Sequence, residues 1–280
     1  MIIIGGGLSG SSTALHLSNK GYSVLVLEKS GYKSIIPCAG GMAATMRNFL
    51  PIDINEAIET EVKRVHFTYE SKDKVIAELT GLSPFLIVKR ELLDNLLIDK
   101  AKNQGALFIN SVKVNNLKKN TDSWEIKCDD KNYKAKFLVI ADGSDSQWST
   151  FLQLGPKRPR YAQTAAIRLN SLGNLSKDSV RFDFGSIKYG FSWAFPLKQS
   201  VNIGIGTFIG NYQINNRDLS KKVITNFGFN TDNYETIYKR LRIWNGFYNL
   251  HIDRALVVGD AASLCDPFLA EGIRPSLLSS

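Results

Sequence analysis

The chain has 280 residues, 44% of them hydrophobic and 22% charged, with a formal net charge of +9. This is an ordinary globular composition, with no apolar run long enough to span a bilayer and no basic stretch before an apolar start of signal-peptide length. Cys38, Cys128 and Cys265 are far apart and form no C-x-x-C pair, which argues against a disulfide framework or a metal site and for a reducing, cytoplasmic setting. The basic excess suits anionic partners. No aromatic-interleaved basic stripe or helix-turn-helix pattern accompanies it, so nucleic acid is not expected, whereas contact with an anionic membrane surface stays open.

The first stretch reads strand, glycine turn, helix, strand, acid. Ile2, Ile3 and Ile4 form a wholly apolar run, as a parallel strand buried on both faces requires. Gly5, Gly7 and Gly10 supply G-x-G-x-x-G: one glycine for the tight turn, one for approach to a pyrophosphate, one for close helix–strand packing. A helix over residues 9–19 aims its free N–H groups at that pyrophosphate. Gly21 marks its stop. A second strand, residues 22–27, leads into Glu28, eighteen residues after Gly10, where an acid that binds a ribose hydroxyl should sit.

Residues 30–41, with Pro37, Gly40 and Gly41, read as a loop. Strands are expected at 62–69 and 74–79. Residues 90–103 read as a helix, with Leu92, Leu93, Leu96, Leu97 and Ala101 along one face and Gly105 after it. Short strands follow at 106–109, 111–117, 123–128 and 132–136, with Asp129 and Asp130 turning between the last two. FLVIA, residues 137–141, is a second buried parallel-type run, ending at Asp142 and Gly143. The stretch 155–249 changes character. Strands are expected at 162–169, 179–184, 191–195 and 201–207, and helices at 220–227 and 234–241. A strand at 255–258 then ends at Gly259 and Asp260.

Three apolar strands thus end in small or acidic turns, and ligands gather at the carboxyl ends of strands in an open α/β sheet. An acid for a sugar-alcohol chain beside a turn for a pyrophosphate describes FAD better than NAD. The expected fold is α/β: a discontinuous Rossmann-like FAD-binding domain (1–60, 85–155, 250–280) with an inserted β-sheet substrate domain (61–84, 156–249).

Over essentially its whole length the sequence resembles the geranylgeranyl reductase family of FAD-dependent oxidoreductases, within the para-hydroxybenzoate hydroxylase-like flavoproteins. The likeness is carried by GGGLSGS with LEK, PCAGGM, VKRELLDNLL, ADGSDS, YGFSWAFP with VNIGIG, and VVGDAASLCDPFLAEGIRPSLLS. It implies pyrophosphate contacts from Ser9 and Gly10, a ribose contact from Glu28 and a cofactor contact from Lys29. Ala39, Gly40 and Met42 would line the flavin in the Cys38 loop. Arg90 would contact FAD from its helix start, and Val114 would lie on the adenine side. Asp260 would hold the ribityl or phosphate region, and Asp142 would be a further cofactor-binding residue. Gly272 and Ile273 would offer N–H groups to the flavin edge. Cys38 is the candidate proton donor. Phe191, Trp193 and Phe195 alternate, so all three share one face, either a core or an apolar wall for substrate.

The implied activity is reduction of isoprenoid C=C bonds by hydride from reduced flavin, with NADPH or ferredoxin as donor. Alternatives are a flavin-dependent aromatic monooxygenase or halogenase, and a non-catalytic flavin binder. Ala39, Ala270 and Ser149 depart from the pattern: the first two stand where glycine is usual, the third where hydroxylases carry arginine. The family continues beyond the position of Ser280 with helices that close the substrate cavity, so a C-terminal cap is read as missing.

Overall fold

The computed structural model describes residues 1–31, 38–81, 85–129, 131–209 and 214–280. The chain forms two compact units. The first comprises Met1–Ile35, Glu91–Arg160 and Arg242–Ser280, the second Ile36–Arg90 and Tyr161–Leu241.

The first unit is built on a six-stranded sheet in the order His251–Ile252, Ala255–Val257, Leu138–Ile140, Ile2–Ile4, Leu25–Leu27, Leu107–Ile109. Every neighbouring pair is parallel except the hairpin of the first two. The runs III and LVI are buried throughout, because a parallel sheet is covered on both faces. Ile2, Ile4, Leu138 and Ile140 pack with Val114, Leu117, Trp124 and Ile126. Those four belong to an antiparallel meander, Val114–Lys119, Trp124–Cys128 and Asn132–Ala135. The helix Leu8–Asn19 packs on Ile2–Ile4 and Leu25–Leu27. From Ile2–Ile4 the chain goes first to one neighbour, Leu25–Leu27, and only later to the other, Leu138–Ile140. The strand order therefore reverses between Ile2–Ile4 and Leu138–Ile140, the kind of switch point beyond which open α/β sheets take their ligands.

The second unit holds a seven-stranded sheet, in the order Thr236–Ile243, Arg160–Leu169, Val201–Thr207, Gly190–Pro196, Ser179–Phe184, Arg64–Tyr69, Lys72–Glu78. A smaller sheet pairs Gly41–Ala43 and Ile58–Val62 on either side of Phe85–Val88. One face of the large sheet packs Ala165, Ile167, Ile203 and Ile205 with Val223 and Ile224 of the helix Arg217–Asn226. The other gathers Phe182, Phe191, Trp193 and Phe195 with Val62 and Ile87.

The long elements fall where the sequence places them, and the helix Arg90–Asn103 matches residue for residue. Residues 234–241 do not form a helix. Thr236–Ile243 is a strand at the sheet edge. Ile237 and Leu241 stand at helical spacing, but Thr236, Ile237, Tyr238 and Ile243 are β-branched or aromatic and favour a pleated surface. Hydrogen bonding to the neighbouring strand decides it, and Thr164 Oγ1 also donates to the Lys239 carbonyl at 3.0 Å. The second strand is shorter than expected, Leu25–Leu27. Within the expected loop 30–41, residues 32–37 lie outside the described ones, as does Asp130 of the expected turn. The units also divide differently from the expected segments. Residues 38–60 and 85–90 group with the second unit, where Val62 and Ile87 pack with Phe182, Phe191, Trp193 and Phe195 of the large sheet.

Candidate functional site

Space dictates the glycine turn. Gly5 has φ +101°, and a Cβ there would overlap the Ala141 carbonyl. A Cβ on Gly10 would overlap the Gly5 carbonyl, so the helix can approach the strand this closely only without a side chain. Gly7 differs: a Cβ there would meet nothing within 4 Å. Its φ of −70° suits any residue. Gly7 is the N-cap of Leu8–Asn19, a helix with no side-chain cap and no acid in its first turn. The N–H groups of Leu8, Ser9 and Gly10 therefore have no intrahelical acceptor. The space beside the Gly7 Cα is open and the positive end of the helix dipole lies behind it, which is what an anionic diphosphate needs.

Three carboxylates stand at strand ends of this unit. Glu28 accepts the Gly6 N–H on Oε2 at 2.6 Å and the Ser30 N–H on Oε1 at 2.8 Å. Each oxygen keeps a lone pair for a hydroxyl donor. Asp142 follows Leu138–Ile140. Its Oδ1 is buried with no hydrogen-bond partner among the described residues. Burial pushes its carboxyl above the usual range, and hydrogen bonding from Ser146 and the Arg242 charge oppose the shift. Asp260, in the turn Gly259–Ala262, accepts the Ser144 hydroxyl on Oδ2 at 3.0 Å. Gly259 has φ +62°, and a Cβ there would overlap Ser9 Oγ, so this turn closes directly on the start of the first helix.

Arg242 was not singled out by the sequence reading. It is only 5% exposed. Its Nη1 donates to Ser149 Oγ at 2.7 Å and to the Ala261 carbonyl at 3.4 Å, and its Nη2 to the Ser146 carbonyl at 2.6 Å. One guanidinium thus ties the turn after Asp142 to the turn containing Asp260. Nothing local marks Arg242 as different from Arg240, because its partners are far away in the chain.

Gly272 caps the short helix Ile273–Leu278. The Glu271 side chain accepts the Arg274 N–H at 2.9 Å, and burial raises the Glu271 carboxyl. Lys29 is exposed. Val114 is buried in the core between meander and sheet, so its side chain is a packing residue. Arg90 opens its helix and is half-buried.

In the second unit the Cys38 loop is fixed by backbone. Gly40 has φ +80°, a Cβ on it would overlap the Val88 carbonyl, and the Val88 N–H donates to the Gly40 carbonyl at 2.9 Å. The Gly40 N–H points at Cys38 Sγ, 3.4 Å away. Met42 is fully buried, and Ala39 packs against the aromatic cluster. Phe191, Trp193 and Phe195 do share a face, opposite Gly206, Gly204 and Asn202 of the next strand. The glycines are there because the Trp193 ring occupies the place of a Gly204 side chain. All three aromatics are buried, with Phe182 edge-on to Phe191 and Phe195 at centroid distances of 5.7 and 5.3 Å. Trp193 Nε1–H donates to Asn202 Oδ1 at 3.0 Å, and Asn202 Nδ2–H to the Cys38 carbonyl at 3.3 Å.

Asn202 thus carries the position of the cysteine loop to the sheet. Trp193→Phe removes the donor, leaves the buried Asn202 oxygen unpaired and is expected to cost about 1–3 kcal/mol. Urea denaturation measures it. A variant as stable as the parent would show that the Trp193–Asn202 bond contributes nothing.

Among the described residues no cluster of His, Cys, Asp and Glu is arranged to hold a metal ion, and no helix is long and apolar enough to cross a membrane. A Methanosarcina barkeri protein is 28% identical over 74% of this chain and 53% of its own length. Digeranylgeranylglycerophospholipid reductase from Methanococcus vannielii is 24% identical over 75% of this chain and 56% of its own length. The chain thus spans little more than half of either relative. In fold it is similar to a geranylgeranyl bacteriochlorophyll reductase-like protein from Thermoplasma acidophilum. That similarity has a TM-score of 0.84 and 22% identity, over 99% of this chain and 74% of that one. The FAD binding domain family model matches residues 1–170, a span that includes the glycine turn, Glu28 and Asp142, and the chain accordingly belongs to that family.

Proposed function

We propose that the chain binds FAD and acts as an FAD-dependent oxidoreductase that saturates C=C bonds of a geranylgeranyl-type isoprenoid chain. The observation that carries the cofactor reading is the turn at the switch point, where an uncapped helix N-terminus meets open space at Gly7. The substrate class rests on likeness to the Methanococcus reductase. When bound, FAD supplies the hydride chemistry, and the protein supplies binding, orientation and electrostatics.

In this reading the first unit holds the phosphates and sugars. Gly5, Gly7, Ser9 and Gly10 form the diphosphate cradle, Glu28 with Lys29 serves the adenosine side, and Val114, its side chain packed in the core, would meet the adenine side through its backbone. Asp142 and Asp260 accept hydrogen bonds from hydroxyls of the sugar-alcohol chain, and Gly272 and Ile273 present N–H groups. Ala39, Gly40, Met42 and Arg90 are read as flavin residues on the family likeness, Phe191, Trp193 and Phe195 as an apolar wall for an isoprenoid, and the Cys38 thiol as the candidate proton donor. NADPH or ferredoxin is the electron donor, and the setting is cytoplasmic with peripheral contact to a membrane.

The test is the visible spectrum of the purified protein, followed by anaerobic NADPH or reduced ferredoxin and then a prenyl lipid. A yellow protein that bleaches with one donor and recovers its colour on adding the lipid is expected. A colourless protein that takes up no added FAD would overturn the cofactor reading. Bleaching with oxygen uptake stimulated by an aromatic compound, not by a prenyl lipid, would select the monooxygenase or halogenase alternative. Bound flavin that no donor reduces would select the non-catalytic one.

A further inference from the structure

An aromatic loop of the first unit stands out in solvent. Phe247 is 95% exposed, and Trp244 and Tyr248 are 39% and 42% exposed. The rings of Trp244 and Phe247 meet edge-to-face at 5.5 Å, so together they form one apolar knob. The loop is held in place. The Trp244 N–H donates to the Cys265 carbonyl at 2.8 Å, the Gly155 N–H to the Asn249 carbonyl at 2.9 Å, and Asn245 Nδ2–H to the Arg158 carbonyl at 3.3 Å.

The last two bonds seat the knob beside GPKRPR, residues 155–160, in which Lys157, Arg158 and Arg160 are exposed. None of the three is ion-paired with a carboxylate among the described residues. Pro156 and Pro159 restrict the backbone of that segment.

Charge decides what such a surface accepts. A second copy of the chain would bring the same cations and a net charge of +9 against it. An anionic bilayer brings the opposite sign, takes aromatic rings at its headgroup level and attracts each nearby lysine or arginine. We propose that residues 244–248 and 155–160 form a docking surface for an anionic phospholipid bilayer. Phe247 and Trp244 enter the interface, and Lys157, Arg158 and Arg160 face the headgroups. The proposal locates the membrane contact of the functional reading and rests on it only for its biological purpose, since lipid binding here needs no flavin.

The experiment is sedimentation of the full chain with vesicles of phosphatidylcholine alone and of phosphatidylcholine mixed with phosphatidylglycerol, with bound FAD read from absorbance in the same samples. Binding to the mixed vesicles is expected, weakening with salt. It should fall about tenfold or more in Phe247→Ser and in the double variant Lys157→Gln/Arg158→Gln, on the usual worth of interfacial rings and cations. Both changes lie at exposed positions and should leave thermal melting unchanged. Absence of binding by the parent chain, equal binding to neutral vesicles, or variants that bind like the parent would each overturn the proposal. So would concentration-dependent dimerisation that Phe247→Ser abolishes. Loss of FAD absorbance in every sample would count against the flavin reading alone.

Discussion

Gly7→Asp is expected to abolish FAD binding while leaving the protein as stable as before, or slightly more so, whereas Gly10→Ala is expected to damage both. The contrast follows from what a side chain would meet. At Gly7 there is nothing within 4 Å and φ is −70°, so the fold accepts a Cβ without adjustment. Aspartate is also a better N-cap than glycine, and a negative charge at a helix N-terminus contributes about 0.3–1 kcal/mol. The same carboxylate occupies the space a diphosphate would need and opposes its charge. Like charges juxtaposed in a binding site cost several kcal/mol, so a loss of affinity of at least about a hundredfold is expected. At Gly10 the added methyl would overlap the Gly5 carbonyl. Helix and strand would have to part, at a cost of about 1–3 kcal/mol. Thermal melting of the flavin-free proteins and titration with FAD separate the two effects. A Gly7→Asp protein that retains stoichiometric FAD would sink the assignment of the diphosphate to this turn.

The turn was legible in the sequence because its glycines answer to local sterics. A strand that must become a helix within a few residues leaves no room for side chains at Gly5 and Gly10, and that constraint is written in the order of residues. The seven-stranded sheet was legible in part. GFSWAFP and VNIGIG each alternate, but that Trp193 lies over Gly204 depends on register, which only the hairpin fixes. Gly41–Ala43, Ile58–Val62 and Phe85–Val88 were not legible as a sheet. They are short, and their pairings join residues far apart in the chain, so no local period announces them. Thr236–Ile243 was misread because Ile237 and Leu241 suit a helix face as well as a strand, and the neighbour that settles the matter lies at residues 160–169. Arg242 was hidden for the same reason. Its partners are at residues 146, 149 and 261, and a buried arginine cannot be told from an exposed one until they are known.

Arg242→Met should be among the most destabilising single changes in the first unit. The guanidinium satisfies the Ser146 carbonyl and Ser149 Oγ with bonds of 2.6 and 2.7 Å and reaches the Ala261 carbonyl at 3.4 Å. Methionine fills much of the volume and leaves those acceptors unpaired. Each buried acceptor left unpaired typically costs about 1–3 kcal/mol, so losing two or more of them is a large share of the about 5–15 kcal/mol that holds a domain folded. Arg242→Lys keeps the charge but not the planar fork, and should fall between. Asp142 supplies the pH dependence. Burial raises its carboxyl in the folded state, and the Arg242 charge opposes that rise. A group whose folded pKa lies above its unfolded value favours folding fully below the unfolded value, and loses that contribution as pH rises through the folded one. The ionised Asp142 is therefore a burden at neutral pH. Asp142→Asn should stabilise the flavin-free protein at neutral pH, with the gain vanishing below about pH 4, where both states bind the proton. In the Arg242→Met background the opposing positive charge is gone and only the hydrogen bonds, that from Ser146 foremost, still oppose the shift, so the gain from Asp142→Asn should be larger and keep growing to a higher pH. Melting curves of the parent, the two single variants and the double variant across the acid-to-neutral range measure this coupling. Destabilisation by Asp142→Asn at neutral pH, or an equal gain with and without Arg242, would show that the guanidinium holds the two turns without governing the charge of Asp142.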